Sequence, residues 1–549
     1  MQIRQAIALQ RQGNLQQALW LFQQVLAVDP YNFLALDGLG QLFNQAGWFE
    51  EALNCFSRAT IVRPNDATLH FNCGTALGAL QRYESALVSF DKALALNPGF
   101  AEAHDSRGNT LDSLQRYDEA LISYDKAIAC NKKFAIAYNN RGVLLHEIFK
   151  RYDEALISLN TAITLKPGFV AAHYNRAHLL SSMERYNEAL ASYDRTIALK
   201  PGLVEAHYNR ALLLSSMGRY NDALASYNRA ISLNPGYADA CYNKGLILLL
   251  LGDYERGWPL YEWRWKTDHF KDSVRYFKQA LWLGDQPVMG KTLLLHAEQG
   301  LGDTIQNVRY IPQLERLGGK IILEVPAPLA SLCRTLNATF TLIEKGEEIP
   351  PFDLHCPLMS LPLAFRTTVE TIPATASYLG ASAQRQSEAH ERLGARIKPR
   401  IGLVWSGNPG HQNDHNRSMP LSALKPLLEL DYEFHSLHKE IRPEERALLT
   451  ELTQIHSHED ELHDFSCTAA LINELDLVIC VDTSVAHLAG ALGKKVWILL
   501  PHRPDFRWML EREDSPWYPT ARLFRQERRD DWEGVINNVI TALQTHPLT

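Results

Sequence analysis

The stretch "AEAHDSRGNTLDSLQRYDEALISYDKAIACNKKF", residues 101–134, contains two amphipathic helical segments joined by a short polar break. Small residues Gly108, Ala120 and Ala127 mark where one helix approaches the next. Outward from this stretch the same beat repeats. Prolines stand at 30, 64 and 98 and again at 167, 201 and 235, 34 residues apart within each run, and Lys132 fills the missing slot. Alanines at 18, 52, 86, 120, 155, 189 and 223 keep the period, as do Arg-Tyr pairs at 82, 116, 151, 185 and 219. One extra residue near 147–150 shifts the register once. A proline after each second helix punctuates the unit, because it cannot continue a helix.

A 34-residue helix pair with this pattern resembles the tetratricopeptide repeat, in seven near-complete units over residues 1–237. An eighth unit decays at "DYERGWPLYEWRW", so 238–290 reads as a degenerate repeat and helical linker. The resemblance implies an α superhelix in which each unit buries its apolar face against its neighbours. The sixth residue of successive first helices is Asn72, Ser106, Asn140, Asn175, Asn209 and Asn243, with Gly38 in the first unit. A carboxamide offers both a donor and an acceptor. A ladder of them is therefore a candidate for gripping the backbone of an extended polypeptide, and asparagine as a mere repeat preference is the simpler reading.

At 549 residues the chain exceeds one hydrophobic core. A net charge of −7 argues against a general nucleic-acid or anionic-membrane binder. The eight cysteines are scattered without a C-x-x-C, which fits a reduced cytoplasmic setting better than a disulfide framework. The opening "MQIRQAIALQRQGNLQQAL" is amphipathic and glutamine-rich, unlike a secretory leader, and the run "LILLLL" at 246–251 is too short to span a bilayer.

Beyond about 290, short apolar strands alternate with helices. "TLLLHAE" (292–298), "KIILEV" (320–325) and "FDLHCP" (352–357) read as strands. A polar stretch at 380–399 reads as a linker, and "RIGLVWSG" (400–407), "YEFHSL" (432–437), "LDLVICV" (475–481) and "KKVWILL" (494–500) restart the pattern. This alternation predicts parallel sheets covered on both faces, in two Rossmann-like domains at 291–390 and 391–549 with a cleft between them.

Three loops carry candidate chemistry. "HAEQGLGDTIQ" (296–306) looks like a phosphate-binding glycine turn, yet Asp303 sits where the anion belongs. It also fails both phosphate templates, since Ile305 replaces the third glycine and no Lys-Ser/Thr follows. Gly300 and Gly302 then serve to let an acceptor approach Asp303, with Gln306 beside it. The plainer alternative makes Asp303 the helix N-cap with Gln306 as a capping-box partner. In "VDTSVAHLAGALGK" (481–494), Asp482, Thr483, Ser484 and His487 converge at a helix N-terminus, which suits a diphosphate or a simple cap. In "VWSGNPGHQNDHNRSMPLSAL" (404–424), Ser406, Gly407 and Asn408 form a third glycine turn. Arg417 of that stretch and Lys439 beyond it are candidate phosphate clamps, or plain surface cations. "SPWYPTARLFRQ" (515–526) and the aromatics near Trp508 are candidates for contacting a base. The cluster "HSHEDELHD" (456–464) reads as a charged loop, and no metal site is expected.

"GLGD" followed by "VDTSVAHLAGALGK" resembles glycosyltransferase family 9, the heptosyltransferases, and the joined arrangement is similar to that of protein O-GlcNAc transferases. The resemblance covers about 290–540 and implies a GT-B fold and a metal-independent inverting transfer from a nucleotide-diphosphate sugar. Asp303 would be the general base, Thr483, Ser484, His487 and Arg417 would hold the leaving diphosphate, and Asp482 would orient the turn or ribose. Ser484 stands where that family usually has glycine. The acceptor expected is a protein or peptide recruited by the repeats. Two alternatives stay open: a glycan or lipid-linked saccharide acceptor, or a non-catalytic repeat scaffold with a ligand-sensing domain.

Overall fold

The computed structural model describes residues 2–411 and 413–548. The chain forms two units, one reaching Leu233 and one beginning at Asn234.

The first unit is a row of seven helix pairs, from Gln2–Arg11 with Leu15–Val28 to Val204–Ser216 with Tyr220–Leu233. Within a pair, a small residue on the first helix faces a ring on the second. A Cβ added at Gly108 would lie 2.6 Å from the Tyr124 ring, and one at Gly74 equally close to Phe90. Between pairs, polar fastenings add to a shared apolar core that joins Leu87, Leu111, Tyr124 and Leu144. Arg107, in the first helix of the fourth unit, donates from Nε to Asp91 Oδ1 at 2.7 Å and from Nη1 to Ser123 Oγ at 2.8 Å. Arg141 and Arg210 repeat this with Asp125 and Ser158, and with Asp194 and Ser226. Each arginine thus links the second helix of its own unit to that of the preceding one. The extra residue detected in the sequence is a widened turn: Arg116 N–H reaches Leu111 O in the regular unit, but Arg151 N–H reaches one residue further back, to Leu145 O.

The asparagine positions are partly committed to the same fastening. Asn140 Nδ2 donates to Asp105 Oδ1 at 3.1 Å, Asn175 Nδ2 to Asn139 Oδ1 at 2.9 Å, and Asn209 Nδ2 to the Tyr174 hydroxyl at 2.6 Å. Each partner lies in the preceding first helix. The ladder expected from sequence is therefore narrowed: one amide N–H of Asn175 and of Asn209 serves the repeat stack, and Asn140 is engaged on both sides, its Oδ1 accepting from Asn139 Nδ2 at 3.2 Å. Asn72 is half-buried in the helix Ala67–Ala79, and Asn243 belongs to the second unit, in the helix Ala238–Leu250.

The second unit begins with that helix and the shortened Tyr254–Tyr261, into which Pro259 is built. Two parallel sheets follow. Strands β1 (Ala280–Leu281), β2 (Thr292–His296), β3 (Lys320–Val325), β4 (Thr341–Glu344) and β5 (Leu354–Pro357) lie in the order β1-β5-β2-β3-β4. Strands β6 (Arg400–Val404), β7 (Glu433–Ser436), β8 (Ile455–Ser457), β9 (Leu477–Val481), β10 (Val496–Leu500) and β11 (Ala521–Arg525) lie in the order β11-β10-β9-β6-β7-β8. Leu293, Leu294 and Leu295 are all buried, as are Val478 to Val481, because both faces of a parallel sheet are covered. Ile401, Leu403, Ile479 and Val481 share a core with Trp532, Val535 and Val539 of the helix Trp532–Thr545.

Several details correct the sequence reading. The stretch at 380–399 is not a plain linker, since Ala383–Leu393 is helical, capped by Ser382 and anchored through buried Ala389. The charged run at 456–464 starts inside β8, and Ala521–Arg525 of the expected base-contact stretch is the edge strand β11. Among the described residues no helix is long and apolar enough to cross a membrane.

Arg264, fully buried, fixes the chain entering the sheets. It pairs with Glu262, reaches Glu298 Oε1 at 3.4 Å and donates to Ser360 Oγ at 2.8 Å. Glu298 belongs to the glycine-rich loop after β2, so this buried charge couples the end of the helical entry to that loop.

The close packing in the repeats yields a paired prediction. Gly108→Ala should destabilise the first unit by about 1–3 kcal/mol through the Tyr124 clash, whereas Gly78→Ala, in a helix and with nothing within 4 Å, should be neutral or stabilising by up to about 1 kcal/mol. Urea unfolding followed by circular dichroism measures both, and equal effects would refute the packing argument.

Candidate functional site

In a doubly wound sheet, the strand order reverses at one point, and the loops leaving the carboxyl ends of the strands there open a crevice. In the second sheet, β6 and β9 flank that point, followed by the 405–408 turn and the Asp482-Thr483-Ser484 turn. In the first sheet, β2 and β5 flank it, and the loop after β2 carries Gly300, Gly302 and Asp303. Both candidate loops of the sequence therefore leave their sheets at a switch point.

The two loops also touch. A Cβ on Gly302 would lie 2.7 Å from His487 Cδ2 and 3.3 Å from Ser484 Cα. Glycine at 302 is what allows the short helix Leu301–Asn307 to approach the helix Ser484–Ala491. The sequence motifs "GLGD" and "VDTSVAH" meet here in space.

Asp303 is not the N-cap. Gly300 holds that position, and Asp303 is the third helical residue, its Oδ2 accepting the Gly300 N–H at 2.8 Å. Its other oxygen pairs with Arg507 Nη2. Arg507 is buried, donating from Nε to Gln306 Oε1 at 2.6 Å and from Nη1 to Asp505 Oδ1 at 2.8 Å. Asp303 and Gln306 are thus joined through one guanidinium from the loop after β10. Sequence reasoning missed Arg507. The signal was available in "PDFRWML" (504–510), where a lone arginine among aromatics follows a strand at its carboxyl end.

On the other side, Thr483 caps the helix Ser484–Ala491 with its backbone only, and its buried Oγ1 has no hydrogen-bond partner among the described residues. Arg417 Nη1 donates to Asp482 O at 3.2 Å, so the arginine picked out by sequence does lie against the turn. Its Nε is buried without a hydrogen-bond partner among the described residues, with Asp414 Oδ1 at 3.7 Å. Ser406 is buried, Gly407 N–H donates to Ser418 Oγ at 2.9 Å, and exposed Asn408 closes its own turn by accepting Gly410 N–H at 2.8 Å. Arg442, also missed, braces this loop through Asp414 and Gly407 O. Lys439 is exposed and its Nζ donates to His463 O at 3.0 Å, on a neighbouring loop.

His487 is buried, with Nδ1 2.8 Å from the Tyr518 hydroxyl and its ring stacked on Trp508 at 5.4 Å. Burial, reinforced by Arg507, Arg309 and Arg417, holds its pKa well below the usual histidine range, so the imidazole is neutral. It acts as a hydrogen-bonding wall, not as a cation. Burial and the neighbouring Asp505 carboxylate push Asp482 up to about 6. His411, on the 404–417 loop, feels Arg417, Asp414, Asp303 and Asp505, and partial desolvation followed by Arg417 lowers its pKa.

The Asp482 shift has a defined sign. A carboxyl with an ordinary value of 3.8 that titrates near 6 when folded binds its proton more tightly in the fold. Its contribution to stability is full below the unfolded value and is lost as pH rises through about 6. Asp482→Asn should therefore raise the melting temperature at pH 7.5, with the gain vanishing towards pH 4. A gain independent of pH, measured by scanning calorimetry, would contradict this.

Family models described as "Tetratricopeptide repeat" match residues 3–67, 39–101, 170–202 and 204–237, and one described as "TPR repeat" matches 108–148. Protein FlbA of Caulobacter vibrioides is 28% identical over 315 residues, covering 52% of this chain and 52% of that protein. The chain therefore spans about half the length of the curated relative it matches. Among solved structures, YrrB, "a TPR protein with an unusual peptide-binding site", is 25% identical with a TM-score of 0.30, over 34% of this chain and 97% of that one. A tetratricopeptide repeat protein from Parabacteroides merdae is 22% identical with a TM-score of 0.37, over 45% and 97%. Tetratricopeptide repeats occupy the N-terminal half of the chain.

Proposed function

We propose that the second unit is a metal-independent inverting glycosyltransferase using a nucleotide-diphosphate sugar, with its two sheets as the halves of a GT-B fold. The observation that carries this reading is the contact of Gly302 with Ser484 and His487. It brings a loop bearing a carboxylate beside a helix N-terminus that has an unpartnered hydroxyl and an adjacent guanidinium. Such a set of groups matches the two needs of glycosyl transfer. The free N–H groups at the start of Ser484–Ala491, Thr483 Oγ1 and Arg417 suit the charge that develops on a departing diphosphate. Asp303 suits removal of a proton from an acceptor hydroxyl, whose oxygen attacks the anomeric carbon as the bond to the β-phosphate breaks. Protonation of Asp482 below about pH 6 removes one negative charge next to that diphosphate. The repeats, interaction modules by class, would present a protein or peptide acceptor.

The ion pair of Asp303 with Arg507 favours a second reading. With one oxygen on Gly300 N–H and the other on a guanidinium, Asp303 is well suited to a purely structural role. The second unit would then be a ligand-sensing platform on a repeat scaffold. A saccharide acceptor in place of a polypeptide is a variant of the first reading.

Mass-spectrometric transfer assays with uridine, guanosine and adenosine diphosphate sugars, run in the presence of a chelator against peptide and saccharide acceptors, separate these cases. On the proposed reading the wild type transfers sugar without added metal. Asp303→Asn then loses about 10²–10⁴-fold in rate while still binding the nucleotide sugar. A folded Asp303→Asn variant with unchanged transfer would remove the base assignment.

A further inference from the structure

The widened turn in the first unit lies beside a set of side chains that the repeat does not require. His146 and Glu147 end the helix Ala135–Glu147, immediately before the extra residue, and His178 lies in Val170–Ser182, the first helix of the next unit. The positions equivalent to His146, at the regular spacing, are Asp112 before it and Ser181 after it. Those equivalent to His178 are Val143 and Leu212. The trio therefore exists once in the array.

Its geometry is that of a ligand set. One ring nitrogen from each histidine and one Glu147 oxygen all lie within 4.8 Å of one another, and His178 Nδ1 is 4.0 Å from Glu147 Oε1. Ligand bonds of about 2.0–2.2 Å to a tetrahedral ion place donor atoms roughly 3.5 Å apart, so rotamer adjustment of two exposed side chains closes the set. His146 is buried and already oriented. Ser182 Oγ donates to His178 O at 3.3 Å, so its oxygen accepts from His146 Nε2–H at 3.0 Å. That bond fixes the neutral tautomer with its lone pair on Nδ1, as the outer hydrogen bond of a metal-binding histidine does.

We propose that His146, Glu147 and His178 bind one late first-row divalent cation, with Zn²⁺ the best match to two imidazoles and one carboxylate. Three protein ligands leave a fourth position open, so the bound ion offers an attachment point for a histidine, carboxylate or thiolate of a partner. The ion also ties two consecutive repeats together across the widened turn. The site lies in the repeats and is independent of how the second unit is read.

Zn²⁺ calorimetry and Co²⁺ absorption titrations of the full chain test this against His178→Ala and Glu147→Gln. Both side chains are exposed, so the variants keep the fold, which circular dichroism verifies. The wild type should take up one equivalent more than His178→Ala, with a Co²⁺ ligand-field band that the variant lacks. Glu147→Gln should bind at least tenfold more weakly, and Zn²⁺ should raise the first unit's melting temperature most in the wild type. Equal uptake and affinity in all three proteins, or no uptake by the wild type at micromolar metal, would overturn the assignment.

Discussion

The second unit depends on the Arg507 guanidinium. It is buried among the side-chain oxygens of Asp303 and Gln306, from the helix Leu301–Asn307, and of Asp505, from its own loop after β10. A buried guanidinium is tolerated only when its charge is paired and its hydrogen bonds are made, and here two carboxylates, Asp303 and Asp505, flank it. The consequence is positional. Asp303 cannot swing away from the crevice, and the helix Leu301–Asn307 is held where Gly302 can lie against Ser484 and His487. Arg309 supports the same helix, donating to Trp517 O at 2.7 Å and to the Tyr378 hydroxyl at 3.0 Å.

Periodicity made the repeats legible. A 34-residue beat of small residues and prolines appears in the sequence because each unit solves the same packing problem, and even the widened turn at Arg151 was visible as a register shift. The sheets were legible as apolar runs, with one limit. β1 and β8 are too short, and β11 too polar along "ARLFR", to stand out before their neighbours are known. Long-range pairing supplies what local pattern lacks.

For the candidate site, the loops were legible and their roles were less so. "GLGD" and "VDTSVAH" are recognisable because a strand, a small-residue turn and a helix leave a local signature. Arg442 leaves none, and Arg507 only the faint one of an arginine among aromatics after a strand. Their importance comes from partners far away in sequence, such as Asp303 for Arg507. Lys439 shows the converse, since a lysine after a strand reads equally as a phosphate clamp or a surface cation, and its carbonyl partner on His463 is invisible locally. Likewise the asparagine ladder was a candidate beside a plain repeat preference, and the neighbouring first helix takes one donor of Asn175 and of Asn209.

These constraints converge on the turn at 482–484. Calorimetric titration of the wild-type chain and Arg417→Ala with uridine, guanosine and adenosine diphosphates tests the account most directly. It predicts one site per chain for one of the three nucleotides, weakened about tenfold or more in Arg417→Ala, the cost of one charge-assisted phosphate contact. Failure of all three to bind the wild type, or binding of equal strength to both proteins, would contradict it.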